Sequence, residues 1–505
     1  MYIIAFDLGT GGVKASLYNE RFETKAKVFI EYDTYYPAPA AHEQKPADWW
    51  NSVISSTRRL IEKSGVTSGE IACVALSGHS LVTVPIDAQG ALLLDQVPIW
   101  SDSTATKEAA DFFRVIDQRD WYMTTGNGFP APCYSLFKLM HLKKNDPGTF
   151  SRIYKVLGSK DYINYRLTGE MYTDPSYASG SGGYDLISGR FKADFWKAAG
   201  INVSIFPEIV PSHTIIGHIT PQAAQETGLA EGTPVACGGV DNACMALGAV
   251  GDGDGRCYLS LGSSSWTPIN SPKPILDADK KPYVFAHIAE GMFTSAFSIF
   301  AGGSSLKWVR DTICSEIADR DDAYALMDKM AATSPVGSNG ILFNPSLAGG
   351  TSQNRTIHIR GAYLGLHLGA SKADLIRSAM EGITLNLKTS YDFMKQRVNA
   401  SDSLLLCGGG SKSAFWLQMF ADIFGIEIIK TNIDQDAASV GAAAIAARAV
   451  GLWDNYHNID QLHKVEIRCA PDAEVAARYQ AFAAQFNHIT EVLEDLGDYL
   501  TPASQ

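Results

Sequence analysis

No stretch of this 505-residue chain approaches the ~18 consecutive apolar residues of a membrane span. The first apolar stretch is interrupted by Asp7 and carries neither a basic lead nor a cleavage site, so the expected location is cytoplasmic. Basic residues are short: 42 Lys and Arg stand against 54 Asp and Glu, net −12. Long-range electrostatics therefore disfavour a nucleic-acid backbone or an anionic membrane as partner, and an anionic ligand must be held by local dipoles. The eight cysteines form no CxxC pair and sit mostly in apolar runs, which excludes a disulfide or zinc framework and fits small buried hydrophobes in a reducing compartment. No GxxxxGK[ST] motif is present, so a P-loop is excluded.

With 46% hydrophobic and 19% charged residues, the composition is that of a globular enzyme, and the length calls for two or three domains. Residues 2–19, YIIAFDLGTGGVKASLYN, read as strand, Gly-rich turn and strand. Residues 257–269, CYLSLGSSSWTPI, repeat the plan half a chain later, Leu8-Gly9-Thr10 matching Leu261-Gly262-Ser263. This similarity is compatible with two related domains and also with chance in a Gly-rich chain. Between and after the hairpins, strands such as IACVALSGH and TPVACGG alternate with helical stretches, so the class is α/β. The polar run GAVGDGDGR places a boundary near residues 248–256, giving domains of 1–250 and 251–505, and its glycines are compatible with relative domain motion. After Pro471, Val475, Tyr479, Phe482 and Phe486 line one side of a packing helix.

Gly-rich turns follow apolar strands at Gly9, Gly238, Gly262, Gly302 and Gly408. Each is compatible with a simple tight turn; several together would let backbone N–H groups approach a phosphate. Asp7, at the end of the first strand, suits either a hairpin turn or a Mg²⁺ between phosphates. Asp241 suits a helix N-cap or a base that takes a proton from an attacking hydroxyl. His79 suits a structural loop or a sugar hydroxyl, and Trp100 with Asp102 pairs an apolar face with a carboxylate, as a sugar requires. CGGGSKS at 407–413, with Glu427 beyond it, loosely imitates a dinucleotide fingerprint and keeps a dehydrogenase reading open.

The ordered set DLGTGGVK, LTGE followed by TD, GGVDNA, SLGSSSW, GGSSLKW, EGI, and GGGSKSAFWLQMFADIFG followed by ASVGAAAIAARAVG resembles the FGGY family of carbohydrate kinases, and within it the xylulokinases. The resemblance runs from Met1 to about Phe486. It implies two actin-like (ribonuclease H-like) ATPase domains around a central cleft, the first holding the sugar and the second ATP. It implies Asp241 as catalytic base and, with Asp7, as holder of Mg²⁺ and phosphates, with Asn242 beside it. Thr10, Gly11, Gly262 and Ser263 would face the phosphates, and Gly303, Lys307, Gly409 and Gly410 the nucleotide. Lys307 stands where the family commonly has glutamine.

The sugar side departs from the family. SGQMHG is here Ser77-Gly78-His79-Ser80-Leu81-Val82, with His79 in the glutamine slot and Ser80 following it. W-x-D-x-R becomes Trp100-Ser101-Asp102-Ser103-Thr104, without the arginine, and LSGERTP becomes Leu347-Ala348-Gly349-Gly350-Thr351-Ser352-Gln353. The resemblance implies ATP-dependent phosphorylation of a ketose primary hydroxyl, D-xylulose first, with L-xylulose, ribulose, erythrulose or glycerol as alternatives and a non-catalytic sugar-binding regulator as a further one. The expected partners are the sugar and ATP; a homodimer is common in the family.

Overall fold

The computed structural model describes residues 1–128 and 130–501. Residues 502–505, the end of the expected second domain, lie outside the described residues. The first half forms a seven-stranded sheet from β1 (Tyr2–Gly9), β2 (Gly12–Asn19), β3 (Thr24–Glu31), β4 (Ile71–Gly78), β5 (Ile215–His218), β6 (Pro234–Ala236) and β7 (Gly239–Val240). The second half forms another from β8 (Tyr258–Leu261), β9 (Ser265–Ser271), β10 (Tyr283–Ala286), β11 (Phe293–Ile299), β12 (Ser403–Cys407), β13 (Glu427–Thr431) and β14 (Val465–Cys469). The helices that matter here are α1 (Pro46–Ser64), α2 (Ser159–Thr168), α3 (Pro175–Ser179), α4 (Asp241–Val250), α5 (Gly302–Ile313), α6 (Lys372–Lys395), α7 (Ala414–Phe424), α8 (Ala437–Ala449) and α9 (Ala473–Leu500).

The two sheets share one wiring. β1 pairs antiparallel with β2, and β2 with β3, while β4 lies parallel on the other side of β1. β8 likewise pairs antiparallel with β9, and β9 with β11, while β12 lies parallel beside β8. The half-chain repeat of Leu-Gly-Ser/Thr thus marks the same turn in each sheet.

Alternation along the strands separates three cores. In β1, Ile4, Phe6 and Leu8 face outward onto α1, where Trp49, Val53 and Leu60 cover them. Leu259, Leu261, Leu404 and Leu406 of β8 and β12 face outward onto a second core that includes residues of α6 and α7. The inward faces meet in a third core of smaller residues: Ala5, Cys73, Ala75 and Ala236 from the first sheet, Tyr258 and Cys407 from the second, with α4 and α8 between. The small side chains let the helices approach closely. A Cβ on Gly248 of α4 would lie 1.8 Å from the Ala437 carbonyl oxygen, and one on Gly441 of α8 would lie 2.0 Å from that of Cys244. Helix α8, from the second half, packs directly on β1 and β4 of the first.

The Gly-Asp run at 251–256 is fastened: Asn270 Nδ2 donates to the Gly251 carbonyl at 3.0 Å, Gly255 N–H to Asn270 at 2.8 Å, and Arg256 pairs with Asp460. Between β4 and β5 an inserted, mainly helical segment has an aromatic core around Phe112, Trp121, Phe137 and Trp196. It touches the second half, the Val284 N–H donating to the Gly126 carbonyl at 2.9 Å. The expected packing helix is α9, with Tyr479 and Phe486 buried. No described helix is long and apolar enough to cross a membrane.

Candidate active site

Register brings the first half's polar residues together. Asp7 of β1 stands opposite Ser77 of β4, Leu8 opposite Gly78, and Val240 of β7 also opposite Gly78. Asp7, the loop after Gly78, and Asp241 therefore emerge at the carboxyl ends of adjacent parallel strands, where α/β sheets present ligand crevices. The chain reaches Asp241 through Gly238, at φ +78°, where a Cβ would lie 2.2 Å from the Leu76 carbonyl oxygen.

Asp241 does not cap its helix. It is the first residue of α4, and its carboxylate accepts the Asn242 N–H at 2.8 Å. Burial, and then the neighbouring charge of Asp7, push its pKa up to about 7, against its backbone hydrogen bonds. Asp7 accepts the Ser77 hydroxyl at 3.0 Å; burial raises its pKa too, opposed by Lys14. Two neighbouring carboxylates whose ionisation burial disfavours form a site that a cation would relieve.

The hairpin turn is held from below. Gln44 Nε2 donates to the Thr10 carbonyl at 2.7 Å, Tyr32 donates its hydroxyl to the Gly9 carbonyl, and Trp100 Nε1 donates to Thr10 Oγ1 at 2.9 Å. Gly11 has open space where a Cβ would stand. Trp100, 44% exposed, thus links the sugar-side loop to the turn expected to meet phosphates.

Two of the expected sugar-side residues lie in the interior. His79 is 0% exposed: both its backbone N–H and its Nδ1–H point to the Leu8 carbonyl, and its ring meets Trp49 edge-on. Burial lowers its pKa to about 4, leaving it neutral, with Nε2 buried and unpartnered. Asp102 is 1% exposed and engaged inside the protein, accepting the His42 N–H at 3.0 Å on one oxygen and the Thr104 hydroxyl at 2.7 Å on the other. The threonine in the arginine slot closes the turn on this carboxylate. Ser80 and Asn242 remain partly exposed.

One important residue carries no motif. Lys138, on the helix Ser135–Asn145, is buried and donates from Nζ to the Leu81 carbonyl at 2.9 Å and the Ile99 carbonyl at 2.5 Å. It clasps the two loops whose sequences depart from the family, and Leu81 is held at φ +60°, a conformation a branched residue rarely adopts. Burial lowers the Lys138 pKa to about 8. Its sequence signal is a lysine inside the apolar run SLFKLM.

In the second half, glycines replace carboxylates. The Gly303 N–H donates to the Gly262 carbonyl at 2.8 Å and the Ser304 N–H to that of Ser263 at 3.0 Å, setting the start of α5 against the β8–β9 turn. A Cβ on Gly303 would lie 2.3 Å from the Gly262 carbonyl oxygen, and one on Gly410 would lie 2.2 Å from Leu261 Cδ2. Gly262, Ser263, Gly303, Gly409 and Gly410 are therefore one convergent group, and Lys307 lies exposed one helical turn beyond Gly303. The dinucleotide reading fails on geometry. Glu427 begins β13 opposite Ser403, at the other end of the strands from the glycine loop, and its carboxylate pairs with Arg468.

Comparison with known proteins agrees with this architecture. The N-terminal domain of the FGGY family of carbohydrate kinases matches residues 2–248, and its C-terminal domain residues 257–450. The chain is 29% identical over 505 residues to a xylulose kinase of Bacillus subtilis, covering 99% of this chain and 98% of that one. It is 27% identical to an autoinducer-2 kinase of Salmonella paratyphi A, with 95% and 92% covered. The crystal structure of xylulose kinase from Rhodospirillum rubrum superposes with a TM-score of 0.91 at 26% identity, over 99% of this chain and 100% of that one. With both of its domains matched in order and the fold shared along nearly the full length, the chain belongs to the FGGY family of carbohydrate kinases.

Proposed function

We propose that this sugar kinase transfers the γ-phosphoryl group of ATP to a terminal primary hydroxyl of a ketose, with D-xylulose as first substrate and D-xylulose 5-phosphate as product. The observation that carries the chemistry is the buried Asp241 carboxylate at the strand ends, raised to about 7 and bonded to backbone N–H groups, Asn242's among them. Such a group accepts the hydroxyl proton as the oxygen attacks phosphorus and ADP leaves. Asp7 and Asp241 fit a Mg²⁺ shared with phosphate oxygens. One or two carboxylates are the protein ligands that Mg²⁺ usually takes at phosphate sites. When bound, the ion offsets phosphate charge. Thr10 and Ser263 face the phosphates from the two hairpin turns, and the Gly303 and Gly409-Gly410 group receives the nucleotide.

The substrate choice is supported by the relatives named xylulose kinase. A second reading, another ketose or polyol, is favoured by Thr104 and the clasped Leu81 loop, and by the relative named autoinducer-2 kinase. The eight cysteines, all buried free thiols, support a cytoplasmic location. The test is ADP release with Mg-ATP over a panel of D-xylulose, L-xylulose, ribulose, erythrulose, glycerol and autoinducer-2, for the wild type and Asp241→Ala. The highest kcat/KM with D-xylulose and an inactive variant support the first reading; another best sugar replaces it; activity with none favours a regulator.

A further inference from the structure

The TD of LTGE…TD has no part in the chemistry above, yet it lies directly behind the base. Asp174 is 0% exposed and heads α3. Its Oδ2 accepts the Ser176 hydroxyl at 2.5 Å and the Ser212 hydroxyl at 2.8 Å. Its Oδ1 faces the ammonium of Lys160 at 3.1 Å, and that ammonium also binds Asp161 at 2.5 Å. Asp161 in turn takes the Thr173 hydroxyl at 2.9 Å. A fully buried lysine between two carboxylates is costly unless every charge is paired and hydrogen-bonded, as it is here.

The output of this cluster is directional. With its proton committed to Asp174, the Ser176 oxygen offers its lone pairs, and it accepts the Val240 N–H at 2.9 Å. Val240 immediately precedes Asp241. The same short helix sends two further ties: the Tyr177 hydroxyl to the Val82 carbonyl at 2.6 Å, beside the sugar-side loop, and Ser179 Oγ to the Ala286 N–H of β10 at 3.2 Å.

We propose that Ser176, oriented by the buried Asp174–Lys160 pair, is the positioning residue that fixes Asp241 in its reactive place, α3 being the element that registers the base against the sugar-side loop and the second half. This rests on the reading of Asp241 as base. The geometry argues for positioning because the Asp241 carboxylate is bonded by backbone N–H groups, Asn242's and its own, so its place is set by the backbone on either side. A small displacement of a base can lower turnover about a hundredfold without loss of binding.

The test is steady-state kinetics of the full chain with Mg-ATP and the best sugar of the panel, measured across pH. Ser176→Ala, which leaves the Val240 N–H without its acceptor, is expected to lower kcat about ten- to hundredfold. It is also expected to leave KM for ATP and KM for the sugar unchanged. Ser176→Cys, of similar volume with a weaker acceptor, is expected to fall between, and it decides the question alone should Ser176→Ala not fold. Ser212→Ala removes a bond from the same carboxylate without touching Val240 and is expected to keep kcat near the wild-type value. A merely structural Ser176 would lower Tm and leave kcat per folded enzyme in place, and wild-type kcat in both Ser176 variants, with Asp241→Asn inactive, overturns the proposal. Activity retained in Asp241→Asn removes the base reading instead.

Discussion

The two halves present the same strand ends with opposite chemistry. In the first, β1, β4 and β7 deliver Asp7 and Asp241 as side-chain carboxylates with raised pKa values. In the second, β8 and β12 deliver glycines whose contribution is the absence of a side chain. In the proposed function one wiring serves two tasks: charge that reacts, and bare backbone that lets a polyanion come close. Damage should follow the same division, charge removal on one side and added carbon on the other.

The largest effect expected is from Asp241→Asn. Loss of the base should lower kcat about a thousandfold or more, with KM for ATP little changed, read by ADP release. Comparable loss from Ser263→Ala would break the division. Next, Gly303→Ala puts a methyl group against the Gly262 carbonyl and should raise KM for ATP about tenfold or more, leaving KM for the sugar alone. At the junction of the halves, Gly441→Leu must displace the Cys244 carbonyl, and a loss of about 1–3 kcal/mol or more should appear in chemical denaturation of the whole chain.

Smaller effects test the charge itself. With Asp241 near 7, kcat/KM should rise with pH through that value and level off above it, and the rise should vanish in Asp241→Asn. The same shift has a stability sign. The native carboxyl keeps its proton to higher pH than the unfolded chain does, so native stability falls as pH rises from the ordinary aspartate range toward 7. A neutral amide removes that penalty, and Asp241→Asn should show a modestly higher Tm than the wild type at pH 8.

The parts legible in the sequence were local or periodic. The hairpins at 2–19 and 257–269, the outward apolar strands and helix α9 follow from short-range patterning, and Asp7 and Asp241 sit in motifs whose strand ends are neighbours. The burial of His79 and Asp102 was not legible because it is decided by distant chain: the Leu8 carbonyl holds one and the His42 N–H the other. Lys138 and Ser176 were missed for the same reason, since a clasp between two loops and a bond to Val240 join segments 39 to 64 residues apart. The second half's cradle was visible as three separate glycine turns, at Gly262, Gly302 and Gly408, but their convergence depends on pairings between strands far apart in the chain.

The placement of α8 on β1 and β4 has a consequence for synthesis. The inward face of the first sheet, Ile3, Ala5, Cys73 and Ala75, is covered by alanines of residues 437–449. A nascent chain that has completed its first 250 residues thus still exposes an apolar sheet surface, and must carry it until most of the second half has left the ribosome. Contacts of such long sequence separation fold slowly and expose aggregation-prone surface in the interval. The small residues on that face reduce its stickiness during the wait, which makes alanine there as much a feature of the unfinished chain as of the finished one.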